Sequence, residues 1–205
     1  MSIIRRLGAN PIALIGAWVV TRAFLVLSVT EYVPYPQGSL VINDVKLYAE
    51  WSNLLVTGRF PIGDDMWQYP PGAGVVFALA ALITTNPLVG FTSLALAADL
   101  TTLLVLAVAG RRRGLGFDSA WVWVAAGIAI GPVFITRFDV FPTLAAVVAL
   151  VLIARPIASG SAAAVGALLK VWPAFMLIAL PRRSLPRGIA GFVVAAAVLL
   201  GAIML

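Results

Sequence analysis

The 205-residue sequence contains no cysteine and no histidine, and only 11% of it is charged. Without cysteine there is no disulfide and no thiol nucleophile; without histidine there is no imidazole base, and zinc sites built on either residue are excluded. Acid–base work therefore falls to carboxylates, tyrosines or lysine. The scarcity of charge is equally restrictive, because a soluble domain carries roughly 25% charged residues. What is present instead is apolar: 62% of the residues are hydrophobic and mean hydropathy is +1.05. Apolar runs of about 20 residues recur along the chain and leave no room for a soluble domain. The expected fold is all-α, a polytopic integral membrane protein whose residues 1–205 form a single transmembrane domain of about six to seven helices.

The formal charge of +6 is not a nucleic-acid signal. Arginines fall in groups at the ends of apolar segments, at Arg5-Arg6, Arg111 to Arg113 and Arg182-Arg183, where they read as topology determinants and contacts to membrane lipids. The first apolar run, Pro11 to Val29, exceeds the roughly 7 to 15 residues of a signal peptide's core and lacks a small-residue cleavage site. It is expected to be a transmembrane helix with a cytoplasmic N-terminus.

The polar residues concentrate in the following loop, Glu31 to Pro71, which holds five of the eight acids and is expected outside the membrane. Within it, Asn43 or Asp44 can cap a helix over residues 44–57 whose Leu47, Tyr48, Trp51, Leu54 and Leu55 share one face, and Gly58 is a natural stop. Such an amphipathic helix is expected to lie along the membrane surface. Tyr69-Pro70-Pro71 then makes a stiff extended lead into the next apolar run, because each proline fixes its own backbone and restricts its predecessor.

Five charges stand inside or beside apolar runs. Arg22 is expected to snorkel toward the headgroups or to pair with Asp99, which is otherwise a neutral acid facing another helix. Arg137-Phe138-Asp139 marks a membrane boundary. Lys170 falls near the middle of an apolar run, Ser159 to Leu180, that reads as one full span, so a phosphate or an intramembrane acid is expected close by. These runs do not settle topology. If every run spans, Arg111 to Arg113 lie outside, against the positive-inside rule; if Gly72 to Thr85 is re-entrant, that triplet moves inside but Arg182 to Arg187 move outside.

Taken in order, these features carry a family resemblance. Asp44, Tyr48 and Trp51 at helical spacing, Gly58, and Trp67-Gln68-Tyr69-Pro70-Pro71 opening the next helix resemble the GT-C superfamily of integral membrane glycosyltransferases. Arg137-Phe138-Asp139 with Pro142, and Lys170-Val171-Trp172-Pro173, look like glycosyltransferase family 87, the polyprenol-phosphate-mannose-dependent mannosyltransferases. Such enzymes usually have about twice as many membrane helices, so the chain is similar to their N-terminal half and a C-terminal half is an expected partner. The resemblance implies a polyprenyl-phosphate sugar donor, a glycolipid or glycan acceptor, transfer with inversion at the outer face of the cell membrane, and Asp44 as catalytic base. One carboxylate suffices for direct displacement, and a phosphate leaves unprotonated if cations stabilise it. Arg59, Arg137 and Lys170 are the candidates for that role. A lipid monophosphate donor requires no metal or other cofactor.

Blander readings remain open beside these. Asp44 also suits a helix N-terminus whatever the protein does. Tyr48, Trp51, Trp67 and Tyr69 are candidates for sugar stacking or interfacial anchors. Asp139 is a further substrate contact or a structural partner of Arg137. Asp64-Asp65 reads as an acidic turn. A transporter or flippase half, with Arg22, Asp99 and Lys170 along a substrate path, and a non-catalytic membrane subunit are the alternatives to an enzyme.

Overall fold

A computed structural model describes residues 8–36 and 38–204, so the Arg5-Arg6 pair lies outside the described residues. Ten α-helices and one 3₁₀ helix make up the described chain, with no strand among the described residues. The long helices are α1 (Pro11–Val29), α5 (Pro87–Arg112) and α10 (Leu185–Met204), and all three are long and apolar enough to cross a membrane. Between them run the shorter apolar helices α4 (Gly72–Ile83), α6 (Asp118–Ile130), α8 (Val140–Val151) and α9 (Pro156–Leu169). Single turns α2 (Gly38–Val41) and α7 (Val133–Thr136), the amphipathic α3 (Asn43–Leu55) and a 3₁₀ helix at Trp172–Ala179 complete the set. Asn10 and Asn86 cap α1 and α5 by accepting hydrogen bonds from backbone N–H groups of the first turn, each with proline at the first helical position.

The bundle has two chemically distinct ends. At one, the Trp121 indole donates to the Gly8 carbonyl and the Arg113 guanidinium to the Val151 carbonyl, so the start of α1, the α5–α6 turn and the end of α8 are neighbours. The starts of α9 and α10 join them: a methyl group at Gly160 would collide with the Gly188 backbone, so α10 sits directly on α9 there. Arg111, Arg112, Arg113, Arg155, Arg182, Arg183 and Arg187 all belong to the turns and helix ends of this basic end. At the other end lie α3, the start of α4, the Arg137–Asp139 turn and the end of α9.

This arrangement departs from the expected single span over Ser159 to Leu180. Helix α9 stops at Leu169, and Lys170 is extended (φ −157°, ψ 135°). Pro173 cannot supply the N–H that a continuing α-helix would need. The chain turns back instead: Pro173 packs on Gly166, and Leu180 returns to Gly188 at the basic end. Arg182 to Arg187 thereby share an end with Arg111 to Arg113. Helix α4 also stays at the other end, with Gly74 against Leu55 near its start and Ala80 to Thr84 facing α3 near its finish. Both ends of α4 thus lie at one end of the bundle, and with the reversal at Lys170 the two basic groups lie together at the other.

Arg22 does not snorkel. Its guanidinium meets Asp99 through Nε (2.9 Å) and Nη2 (3.0 Å), and both side chains are buried. The Trp18 and Trp123 indoles donate to the same carboxylate at 2.6 and 2.7 Å, and Arg22 Nη1 donates to the Val124 carbonyl. Gly127 makes the room: a Cβ there would lie 2.7 Å from the guanidinium carbon. One carboxylate thus ties α1, α5 and α6 together inside the apolar bundle with every partner satisfied. Asp99→Ala is expected to cost about 3–5 kcal/mol because it strands a buried guanidinium. An Arg22→Met/Asp99→Leu pair should cost less than Asp99→Ala alone, as read from thermal unfolding in detergent.

Candidate active site

Helix α3 is amphipathic, as its sequence pattern predicts, but the surface it covers is protein. Tyr48 and Trp51 are 3% and 1% exposed, and their rings pack into an aromatic cluster with Phe77 of α4 and Phe91 of α5. Neither Tyr48 nor Trp51 offers an open ring face, so the expected sugar stacking by these two does not fit their burial. Trp67 and Tyr69 are half-buried at the rim of the same cluster, 4.9 and 5.9 Å from Trp51 between ring centres. The helix ends as predicted near Gly58, which adopts φ 72°. Its start differs from expectation. Ile42 is helical, so neither Asn43 nor Asp44 caps, and the Asp44 side chain is available for tertiary contacts.

Those contacts reach across the chain. Arg137 Nη1 forms an ion pair with Asp44 Oδ2, and the Tyr48 hydroxyl donates to the same oxygen at 3.3 Å. Tyr48 and Tyr69 hydroxyls lie 3.2 Å apart, which links the Tyr-Pro-Pro segment to the carboxylate. Burial pushes the Tyr48 phenol well above the usual tyrosine range, so it stays a neutral donor. Beside this group Lys170 Nζ pairs with Asp139 Oδ1 at 2.6 Å. Lys170 therefore reaches Asp139 from a helix end, and Asp99 is not its partner.

A residue not singled out in the sequence organises these pairs. Arg137 is extended (φ −103°, ψ 149°), so Phe138 points opposite to its neighbours. Phe138 is fully buried, 5.0 Å from both Tyr69 and Phe77, while Arg137 and Asp139 are exposed. The charge–aromatic–charge alternation was the available signal. One anchored ring presents both charged side chains to Asp44 and Lys170.

Arg59 stands apart from this cluster. It follows the far end of α3, about 17 Å of helix from Asp44 at 1.5 Å per residue, and lines an apolar groove of about 690 Å³ with Leu55, Phe60, Gly72, Leu168 and Ile203. That groove reaches Leu169, immediately before Lys170. Asp64 is engaged as well: its carboxylate accepts from the Trp51 indole at 2.6 Å and from Met66 N–H at 2.9 Å. No grouping of acids suited to a metal occurs among the described residues.

The hydrogen bonds from Trp51 and then Met66 hold the Asp64 carboxyl below its ordinary value. A lowered folded-state value means that the stabilisation is complete above the unfolded value of about 4 and is lost as pH falls through the folded one. The melting temperatures of wild type and Asp64→Asn should therefore keep a constant separation from pH 8 to 5 and converge only below pH 4.

The family model described as "Glycosyltransferase family 87" matches residues 67–205, about two thirds of the chain. Trp67, Tyr69, Arg137, Asp139 and Lys170 lie inside the match; Asp44, Tyr48, Trp51 and Arg59 precede it. No curated protein and no solved structure matches.

Proposed function

The chain belongs to glycosyltransferase family 87, a family of membrane glycosyltransferases, and from that premise we propose that it transfers mannose from a polyprenyl-phosphate donor to a hydroxyl of a lipid or glycan acceptor. The observation that carries this reading is the convergence of Asp44, Arg137, Asp139 and Lys170 at one end of the bundle. Asp44 takes the proton of the attacking acceptor hydroxyl. The new bond forms at the anomeric carbon as the bond to phosphate breaks, and inversion follows from attack opposite the leaving group. Arg137 and Lys170 then neutralise the departing lipid phosphate, which leaves as an anion without a general acid.

A lipid donor suits the apolar groove that runs up to Leu169, and Arg59 at its wall is a second phosphate contact for a headgroup approaching along it. Half-buried Trp67 and Tyr69 remain the aromatic contacts for the sugar, and Asp139 the polar one. In this reading the protein is multi-pass in the cell membrane, its basic end cytoplasmic and its paired-charge end outside, as the positive-inside rule prefers. The transporter reading is less favoured, because the buried Arg22 and Asp99 are held by each other, by the Trp18 and Trp123 indoles and by the Val124 carbonyl.

Asp44→Asn should reduce transfer of radiolabelled mannose from polyprenyl-phosphate mannose in membranes by about 10²-fold or more, with expression and insertion unchanged. Full activity in that variant removes Asp44 from the mechanism. For the phosphate role, Lys170→Gln should raise the donor KM by about tenfold, the equivalent of about 1.4 kcal/mol, whereas Lys170→Arg keeps it near wild type; equal effects would place the phosphate elsewhere.

A further inference from the structure

Asp44 is held on one oxygen only. Oδ2 accepts from Arg137 and from the Tyr48 hydroxyl, and no donor among the described residues reaches Oδ1. A carboxylate fixed through one oxygen leaves the other to accept a proton from an incoming hydroxyl. The two donors to Oδ2 differ in kind. Arg137 is exposed and also suits the donor phosphate, so its hold on Asp44 is exchangeable. Tyr48 is buried among Trp51, Phe77 and Phe91 and has no such alternative.

We propose that Tyr48 is the positioning residue of the catalytic carboxylate: its phenol, anchored in the aromatic cluster, orients Asp44 through Oδ2 so that Oδ1 faces the acceptor hydroxyl. This rests on the reading of Asp44 as the base. Tyr69 completes the device. With its own hydroxyl donating to Tyr48, the Tyr48 proton is directed to Asp44, in the order Tyr69 to Tyr48 to Asp44. The charged and titratable groups around the carboxylate are Arg137 from the turn before α8, Tyr48 on its own helix, Tyr69 behind it, and the Lys170–Asp139 pair alongside. When Arg137 turns to the phosphate, Tyr48 alone keeps the carboxylate in place. The Tyr-Pro-Pro stiffness that the sequence shows then has a purpose, because it fixes the Tyr69 hydroxyl.

Tyr48→Phe keeps the ring and removes the hydroxyl. The expected result is a fall in kcat of about 10- to 100-fold, the loss of one hydrogen bond to a charged group, with donor KM and melting temperature near wild type. Tyr69→Phe should lower kcat in the same way by less, again with donor KM unchanged. A Tyr48→Phe enzyme with wild-type kcat, beside an inactive Asp44→Asn, overturns the positioning role while leaving the base assignment intact; an active Asp44→Asn overturns the base assignment itself. Loss of activity that comes with a lowered melting temperature and a raised donor KM makes Tyr48 structural only. If Tyr48→Phe does not fold, a wild-type kcat in Tyr69→Phe overturns the proposal.

Discussion

The reversal of the chain at Lys170 is the constraint on which the rest of the arrangement depends. An uninterrupted helix from Ser159 to Leu180 would bury Lys170 in hydrocarbon and send Arg182 to Arg187 to the far end of the bundle. Pro173 opposes that helix by removing a backbone N–H, and Gly166 gives the proline a surface to fold against. Two consequences follow from one break. Lys170 emerges at a helix end within reach of Asp139, and the arginines after Leu180 return to the end that already carries Arg111 to Arg113 and Arg155.

Charge is sorted by this geometry into three places with three uses. Deep in the bundle, Arg22 and Asp99 exhaust each other's hydrogen-bonding capacity with two indoles and a backbone carbonyl, so they hold helices and are chemically inert. At the basic end, the arginines form no salt bridge among the described residues and suit anionic headgroups. At the opposite end, Asp44, Arg137, Asp139 and Lys170 are paired but open to solvent, an arrangement whose Coulomb energy is modest and therefore exchangeable for a substrate's charge. Exchange at the surface and permanence in the core are what separate a site from a fastener.

Much of this could be read from the sequence because apolar runs and arginine groups are long-range signals. The helical class, the amphipathic helix after Asp44 and its stop near Gly58 followed from spacing and composition. What spacing could not show was partnership. Asp99 and Lys170 are both charges within apolar runs, yet one is paired in the core and the other at a helix end, and only the backbone break after Leu169 distinguishes them. Tyr48 and Trp51 looked like sugar platforms because an aromatic face on a surface helix has the same pattern whether it meets membrane, sugar or protein. Here it meets Phe77 and Phe91. Phe138 was passed over because one aromatic between two charges carries no periodicity.

The cysteine-free chain allows the central claim to be measured directly, since any introduced cysteine is the only thiol present. Single cysteines at Asp65, Asp139, Arg113 and Arg183, probed with a membrane-impermeant maleimide on intact cells and again after permeabilisation, report which side each occupies. The chain reversal predicts labelling of positions 65 and 139 in intact cells, and of 113 and 183 only after permeabilisation. Labelling of position 183 in intact cells with 113 protected, as a single span through Lys170 would give, contradicts it.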